Sequence, residues 1–198
     1  MTLDRLASWT PFAVLIALLT IPLEPRFLAR AEGLEVGFGK ADITPEVGDD
    51  SQPVYIAGYG QNRRATGIHD PLWSRAVFLR HGEQTLALVS VDLIGVQLEL
   101  TEAVRRRLED VSYVLVSSTH NHEGPDVIGL WGPSPVESGV DLGYLKQVED
   151  GIVASVRQAQ QAMAPAVASY GTAEDESLLA DSRKPVVKDG VLRVLRFD

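Results

Sequence analysis

The chain contains no cysteine among its 198 residues. That excludes disulfides and thiolate ligands, and leaves His, carboxylate, Tyr and backbone oxygen as the groups able to hold a metal. It also lacks a basic stripe. The formal net charge is -9 and the sequence pI about 4.9, which argues against nucleic acid as a partner. The run Arg105, Arg106, Arg107 sits in a mixed amphipathic stretch and reads as a solvated helix face. No internal repeat or low-complexity tract is present. With 45% hydrophobic and 23% charged residues, the composition is that of a soluble globular chain, and the length suits one domain or the larger part of one.

Long apolar runs are missing as well. The longest, PFAVLIALLTIPL, has 13 residues, too few to cross a bilayer comfortably. It follows Arg5 and precedes Ala29 and Ala31, the three-part order of an export signal. Residues 1–31 are therefore expected to be a signal peptide or N-terminal anchor, and residues 32–198 the remaining, folded part. The expected location is exported, periplasmic or secreted, either free or membrane-associated through this segment. Cleavage would remove Arg5, Arg26 and Arg30 against Asp4 and Glu24, a charge of +1, leaving -10.

From Leu34 the stretch LEVGFGKADITP alternates and ends at Pro45, as an edge or first strand does. Residues 46–71, rich in Gly, Asp, Asn and Pro, predict a long loop, a feature often functional. SRAVFLR (74–80) and TLALVSVD (85–92) flank Gly82 as a β-hairpin. A short helix capped by Thr101 through Leu108 follows, then a buried strand at 112–118. Strand, helix, strand at this spacing is a βαβ unit with a parallel crossover. A Gly- and Pro-rich loop over 120–139 leads to a helix from Asp141 to Met163. Its core face is predicted to carry Leu142, Leu145, Val148, Ile152, Val156, Ala159 and Met163. PAVASYGTA is a strand candidate, and PVVKDGVLRVLRF a hairpin turning at Lys188, Asp189 and Gly190. The fold class is α/β, a mixed β-sheet with flanking helices in a layered sandwich, expected to be an incomplete domain.

Chemistry concentrates in THNHEGP (119–125), where two of the four histidines follow the strand 112–118. If extended geometry persists past Ser118, His120 and His122 project to the same side of the strand's carboxyl end, where open α/β sheets place ligands. Imidazole suits Zn²⁺, and His-x-His is a recurrent start to a metal site. An isolated pair reads first as one backbone-bonded histidine and one at the surface. Asp92, ending the adjacent strand, is either a partner orienting an imidazole or a loop cap. His69 in GIHDP is a third ligand or a surface residue, and His81 an exposed turn residue. Arg183 in ADSRKP is solvent-facing, or its guanidinium holds a carboxylate or carbonyl oxygen.

Together GFGKADITP, GYG, GIHDPLWSRAVFL, LVSVDLIG, SSTHNHEGPD, DGIVASVRQAQ and SRKP, in that order, resemble the neutral/alkaline non-lysosomal ceramidases in their N-terminal catalytic domain. The resemblance implies zinc held by His120, with His122 contacting substrate and Arg183 lining the site. It implies hydrolysis of the amide of a ceramide-like lipid substrate at a membrane or micelle surface. It also implies further zinc ligands and catalytic groups beyond Asp198, so that this chain alone is expected to be inactive. The chain departs from the family pattern at Asn121 and Glu123, the latter adding a carboxylate beside the pair. Hydrolysis of another amide or ester is a second reading, and a non-catalytic binding protein that retains the fold is a third.

Overall fold

A computed structural model describes residues 33–48 and 52–198. The expected targeting segment, residues 1–31, lies outside the described residues. Strands β1 (Leu34–Asp42), β2 (Trp73–His81), β3 (Gln84–Val91), β4 (Tyr113–Ser118) and the two-residue β5 (Ala164–Pro165) form a sheet in the order β4-β3-β2-β1-β5. Helix α1 (Leu98–Arg107) lies between β3 and β4 in the chain, and α2 (Leu142–Gln161) follows β4. The β3–β4 pair is parallel and the other pairs of this sheet antiparallel, so the mixed α/β architecture expected from the sequence is the one observed.

Alternation explains which face each strand buries. Ala76 and Phe78 of β2, Ala87, Val89 and Val91 of β3, and Val114 of β4 face the helices. They meet Val104 of α1 and Val148, Ile152, Val156 and Ala159 of α2 in one core. Ser74 and Ser155 are both fully buried and hydrogen-bond each other at 2.9 Å, which satisfies two hydroxyls inside that layer. Gly37 and Gly39 let β1 approach α2 closely: a Cβ at Gly37 would stand 1.9 Å from the Ala159 carbonyl oxygen. The other sheet face is bare among the described residues. Phe38, Val77, Leu88 and Leu115 line an apolar groove there of about 810 Å³.

Several local expectations need correction. β4 is a half-buried edge strand, with Tyr113 and Leu115 exposed on its outer face. Helix α1 starts four residues early with Gln97 at its N-cap, and the Thr101 hydroxyl donates to the Gln97 carbonyl inside the first turn. Asp141 does cap α2, accepting from the Gly143 and Tyr144 amides. Leu142 is 78% exposed, because at the first helical position it points off the end of the core. The hairpin expected within PVVKDGVLRVLRF does not form. β7 (Val191–Phe197) pairs instead with β6 (Ala168–Glu174) over seven residues. Pro185 offers no N–H, and only Val186 and Val187 stand between it and the turn, so that alternative ladder is far shorter.

Arg157 of α2 clamps the α1–β4 connection, donating to both Asp110 oxygens at 2.6 and 2.7 Å and to the Arg107 carbonyl. These hydrogen bonds pull the Asp110 carboxyl down from 3.8 to about 2. A lowered folded-state pKa contributes stability that is complete above the unfolded value and is lost as pH falls through the folded one. Asp110→Asn is therefore expected to lower the urea midpoint at pH 7. The difference from wild type should shrink between about pH 4 and pH 2; a pH-independent difference in the unfolding curves would refute the assignment.

Candidate functional site

The parallel β3–β4 ladder continues past both strands. The Thr119 amide donates to the Val91 carbonyl at 2.9 Å, and the Asn121 amide to that of Leu93 at 3.1 Å. The segments 92–97 and 119–123 thus run side by side at the sheet's carboxyl edge. Extended geometry does not persist through the histidines, however. His120 sits at φ 59°, a left-handed conformation that costs a non-glycine residue about 1–3 kcal/mol. The two rings meet through this turn rather than through strand alternation, with centroids 4.9 Å apart and planes at 84°.

His120 Nδ1 lies 2.8 Å from the Ile94 carbonyl oxygen. A carbonyl only accepts, so Nδ1 carries the proton and Nε2 keeps its lone pair. His122 differs. Its Nδ1 is buried without a hydrogen-bond partner, pressed against Gly58, where a Cβ would stand 1.9 Å from that nitrogen. Gly58 has φ 90°, and Tyr59, Gly60 and Asn62 are also left-handed, so the turn at 58–62 folds tightly back onto the ring. The Tyr59 ring lies 5.1 Å from His122 on one side, and the Trp131 ring 6.3 Å away.

Two loops supply these neighbours. Asp126, 1% exposed, accepts the Ile128, Gly129 and Trp131 amides on its two oxygens at 2.8 to 3.0 Å. It thereby replaces the missing ladder of an irregular segment. Gln61 links the loops, donating to the Leu130 carbonyl at 2.9 Å and accepting from the Gly132 amide at 3.0 Å. Arg63 donates to the carbonyls of Gly58 and His122 and pairs with Glu123 at 3.0 Å. The Glu123 carboxylate, a departure from the family pattern, is thus paired with a cation. Asn121 holds its backbone by accepting the Glu123 amide.

The remaining expected residues lie elsewhere. Asp92 accepts from the Trp73 amide at 3.0 Å and the Arg75 guanidinium at 2.7 Å. It ties β3 to β2, and the Ile94 carbonyl takes the orienting role at His120. His69 is a surface residue, 97% exposed, and the hydrogen-bonded Asp70 carboxylate raises its pKa. His81 is exposed at the β2–β3 turn. Arg183 is 93% exposed in the loop before β7, with Asp181 3.9 Å away as its ion-pair neighbour. Sequence reasoning assigned no role to Tyr59, Arg63, Asp126 or Trp131, since none carries a spacing signal; the left-handed GYG turn was the available hint.

The donor set suits a borderline metal in part. His120 offers an oriented Nε2, whereas the unpartnered Nδ1 of His122 is buried and closed off by Gly58. Among the described residues no cluster of three or more His, Asp or Glu side chains completes a coordination shell.

The family model for neutral/alkaline non-lysosomal ceramidase, N-terminal, matches residues 34–179. A neutral ceramidase of Mycobacterium tuberculosis (strain ATCC 25618 / H37Rv) is 34% identical over 171 residues, covering 77% of this chain and 26% of that protein. One of Pseudomonas aeruginosa is 29% identical over 197 residues, covering 85% and 28%. The crystal structure of neutral ceramidase from Pseudomonas aeruginosa superposes with a TM-score of 0.66 at 27% identity, covering 83% of this chain and 29% of that one. A ceramidase complexed with C2 gives the same values. The chain thus spans between a quarter and a third of the relatives it matches.

Gly58→Ala adds a methyl group where His122 stands and strains φ. It is expected to cost about 1–3 kcal/mol and to shift the His122 ring resonances in a heteronuclear NMR spectrum, with those of His69 and His81 unmoved. Unchanged His122 resonances would show that the contact does not hold the ring.

Proposed function

Because the chain belongs to the neutral/alkaline non-lysosomal ceramidase family, we propose that it forms the histidine-bearing amino-terminal part of a zinc-dependent amide hydrolase acting on N-acylsphingosine. The relatives it matches are named neutral ceramidases. The observation that carries the reading is the Nδ1 hydrogen bond of His120 to Ile94, which fixes the ring beside His122 and, in the neutral imidazole, leaves the lone pair on Nε2.

In the net reaction a water oxygen bonds to the amide carbon and the C–N bond breaks. The nitrogen takes a proton, giving a fatty acid and sphingosine. Zinc, when bound, supplies Lewis-acid polarisation of a carbonyl and acidifies water. His120 is assigned as the ligand in this chain. An N–H on His122 Nδ1 would be buried with no acceptor, so the neutral ring holds its proton on Nε2 and is suited to donate to the oxygen where charge develops. Arg183, with its guanidinium largely in solvent, is the cation assigned to a substrate oxygen.

The apolar segment in residues 11–23 supports export, and a ceramide-like substrate fits a protein working at a membrane or micelle surface. Among the described residues no helix is long and apolar enough to cross a membrane.

Equilibrium dialysis against Zn²⁺ tests the ligand, and N-acylsphingosine hydrolysis tests the chemistry. His120→Ala is expected to lose roughly 10-fold to 100-fold in zinc affinity, on the scale seen when a metal-histidine arrangement is disturbed. In the full-length enzyme, His122→Ala should retain zinc yet lose roughly 100-fold in turnover, the scale of one oxyanion donor. Equal zinc uptake by wild type and His120→Ala would remove His120 as ligand.

A further inference from the structure

Tyr59 is a residue that the metal reading leaves unused, and its placement is costly. It holds a left-handed backbone at φ 58° while its ring is 77% exposed. A large aromatic side chain gains little from folding in such a position, so the burial that would offset its strain is absent in the free protein. The ring is nonetheless held. It lies 5.1 Å from the His122 ring, and the Arg63 guanidinium stacks over it at 5.6 Å. Arg63 is itself fixed to the Gly58 carbonyl and to Glu123.

The wall extends beyond one ring. Leu130, 62% exposed, and Trp131 come from the second loop. The two loops are tied by Gln61 and by the Asn62 amide donating to the Gly132 carbonyl at 2.7 Å. An exposed, preorganised apolar rim next to a polar pair of imidazoles suits a ligand with a hydrocarbon chain attached to a polar group. Fixing the rim beforehand lowers the entropy lost on binding.

We propose that Tyr59 is a specificity-determining residue, the apolar wall against which the alkyl chain beside the scissile amide packs; this rests on the amide-hydrolase reading above. Tyr59 acts by holding the chain, and the imidazoles meet the amide. Removing the ring therefore weakens long-chain ligands selectively and leaves short ones unaffected.

Three soluble amides serve as probes: N-octanoylethanolamine, N-acetyloctylamine and, as the short reference, N-acetylethanolamine. Their affinities for the 198-residue protein are measured by ligand-observed NMR for wild type, Tyr59→Phe and Tyr59→Gly. Tyr59→Gly suits the left-handed backbone, so it is expected to fold at least as well as wild type. Wild type and Tyr59→Phe should prefer at least one octyl probe over the short reference. In Tyr59→Gly that preference should fall about tenfold, with the affinity for the reference unchanged. An unaltered long-to-short ratio in Tyr59→Gly, or a wild type that binds neither octyl probe better than the reference, overturns the proposal. Zinc uptake by wild type and His120→Ala separates the two readings: chain-selective binding together with equal zinc uptake by both supports the wall and counts against the hydrolase.

Discussion

The parallel register of β3 and β4 is the constraint on which the site depends. It pairs Val91 with Ser118 and carries on through the Thr119 and Asn121 amides, so the chain leaving β3 and the chain leaving β4 emerge together. That alignment puts the Ile94 carbonyl within reach of His120. A slip of one residue would turn every side chain of β4 to the opposite face and separate the two. The core enforces the register, because Ala87, Val89, Val91 and Val114 must all face the helices.

Around that edge the backbone repeatedly adopts conformations that side chains disfavour. Gly58, Tyr59, Gly60, Asn62, His120 and Gly129 all have positive φ, and all belong to the segments that meet at His122. Strain of this kind persists only where surrounding bonds over-determine it. Here those bonds come from Asp126 to three amides, Gln61 between two loops, and Arg63 to two carbonyls and a carboxylate. Their cost is carried by the sheet and α2, whose buried contacts hold the frame while the loops specialise.

The layering has a consequence for the chain as a unit. Helices cover one sheet face, and the described residues leave Phe38, Val77, Leu88 and Leu115 lining an open groove on the other. Phe197 of β7 reaches the margin of that face, 6.2 Å from Phe38. The relatives are three to four times longer than the matched segment. The matched segment is therefore only part of each of those longer proteins.

The sequence by itself determined the elements whose signal is local. The runs 74–80 and 85–92 on either side of Gly82 predicted the hairpin, a step of three and four predicted α2, and spacing predicted the parallel β3-α1-β4 unit. It also located His120 and His122 at a strand end. Only the tertiary structure decided what surrounds them. Arg63 bonds a carbonyl 59 positions away, and Gln61 an amide 71 positions away; neither separation leaves a periodic trace. Tertiary pairing likewise chose β6 as the partner of β7 and gave Asp92 to β2 instead of to a histidine. Each of these choices joins residues far apart in the chain, so the groups that satisfy one another can be compared only once distant segments are in contact.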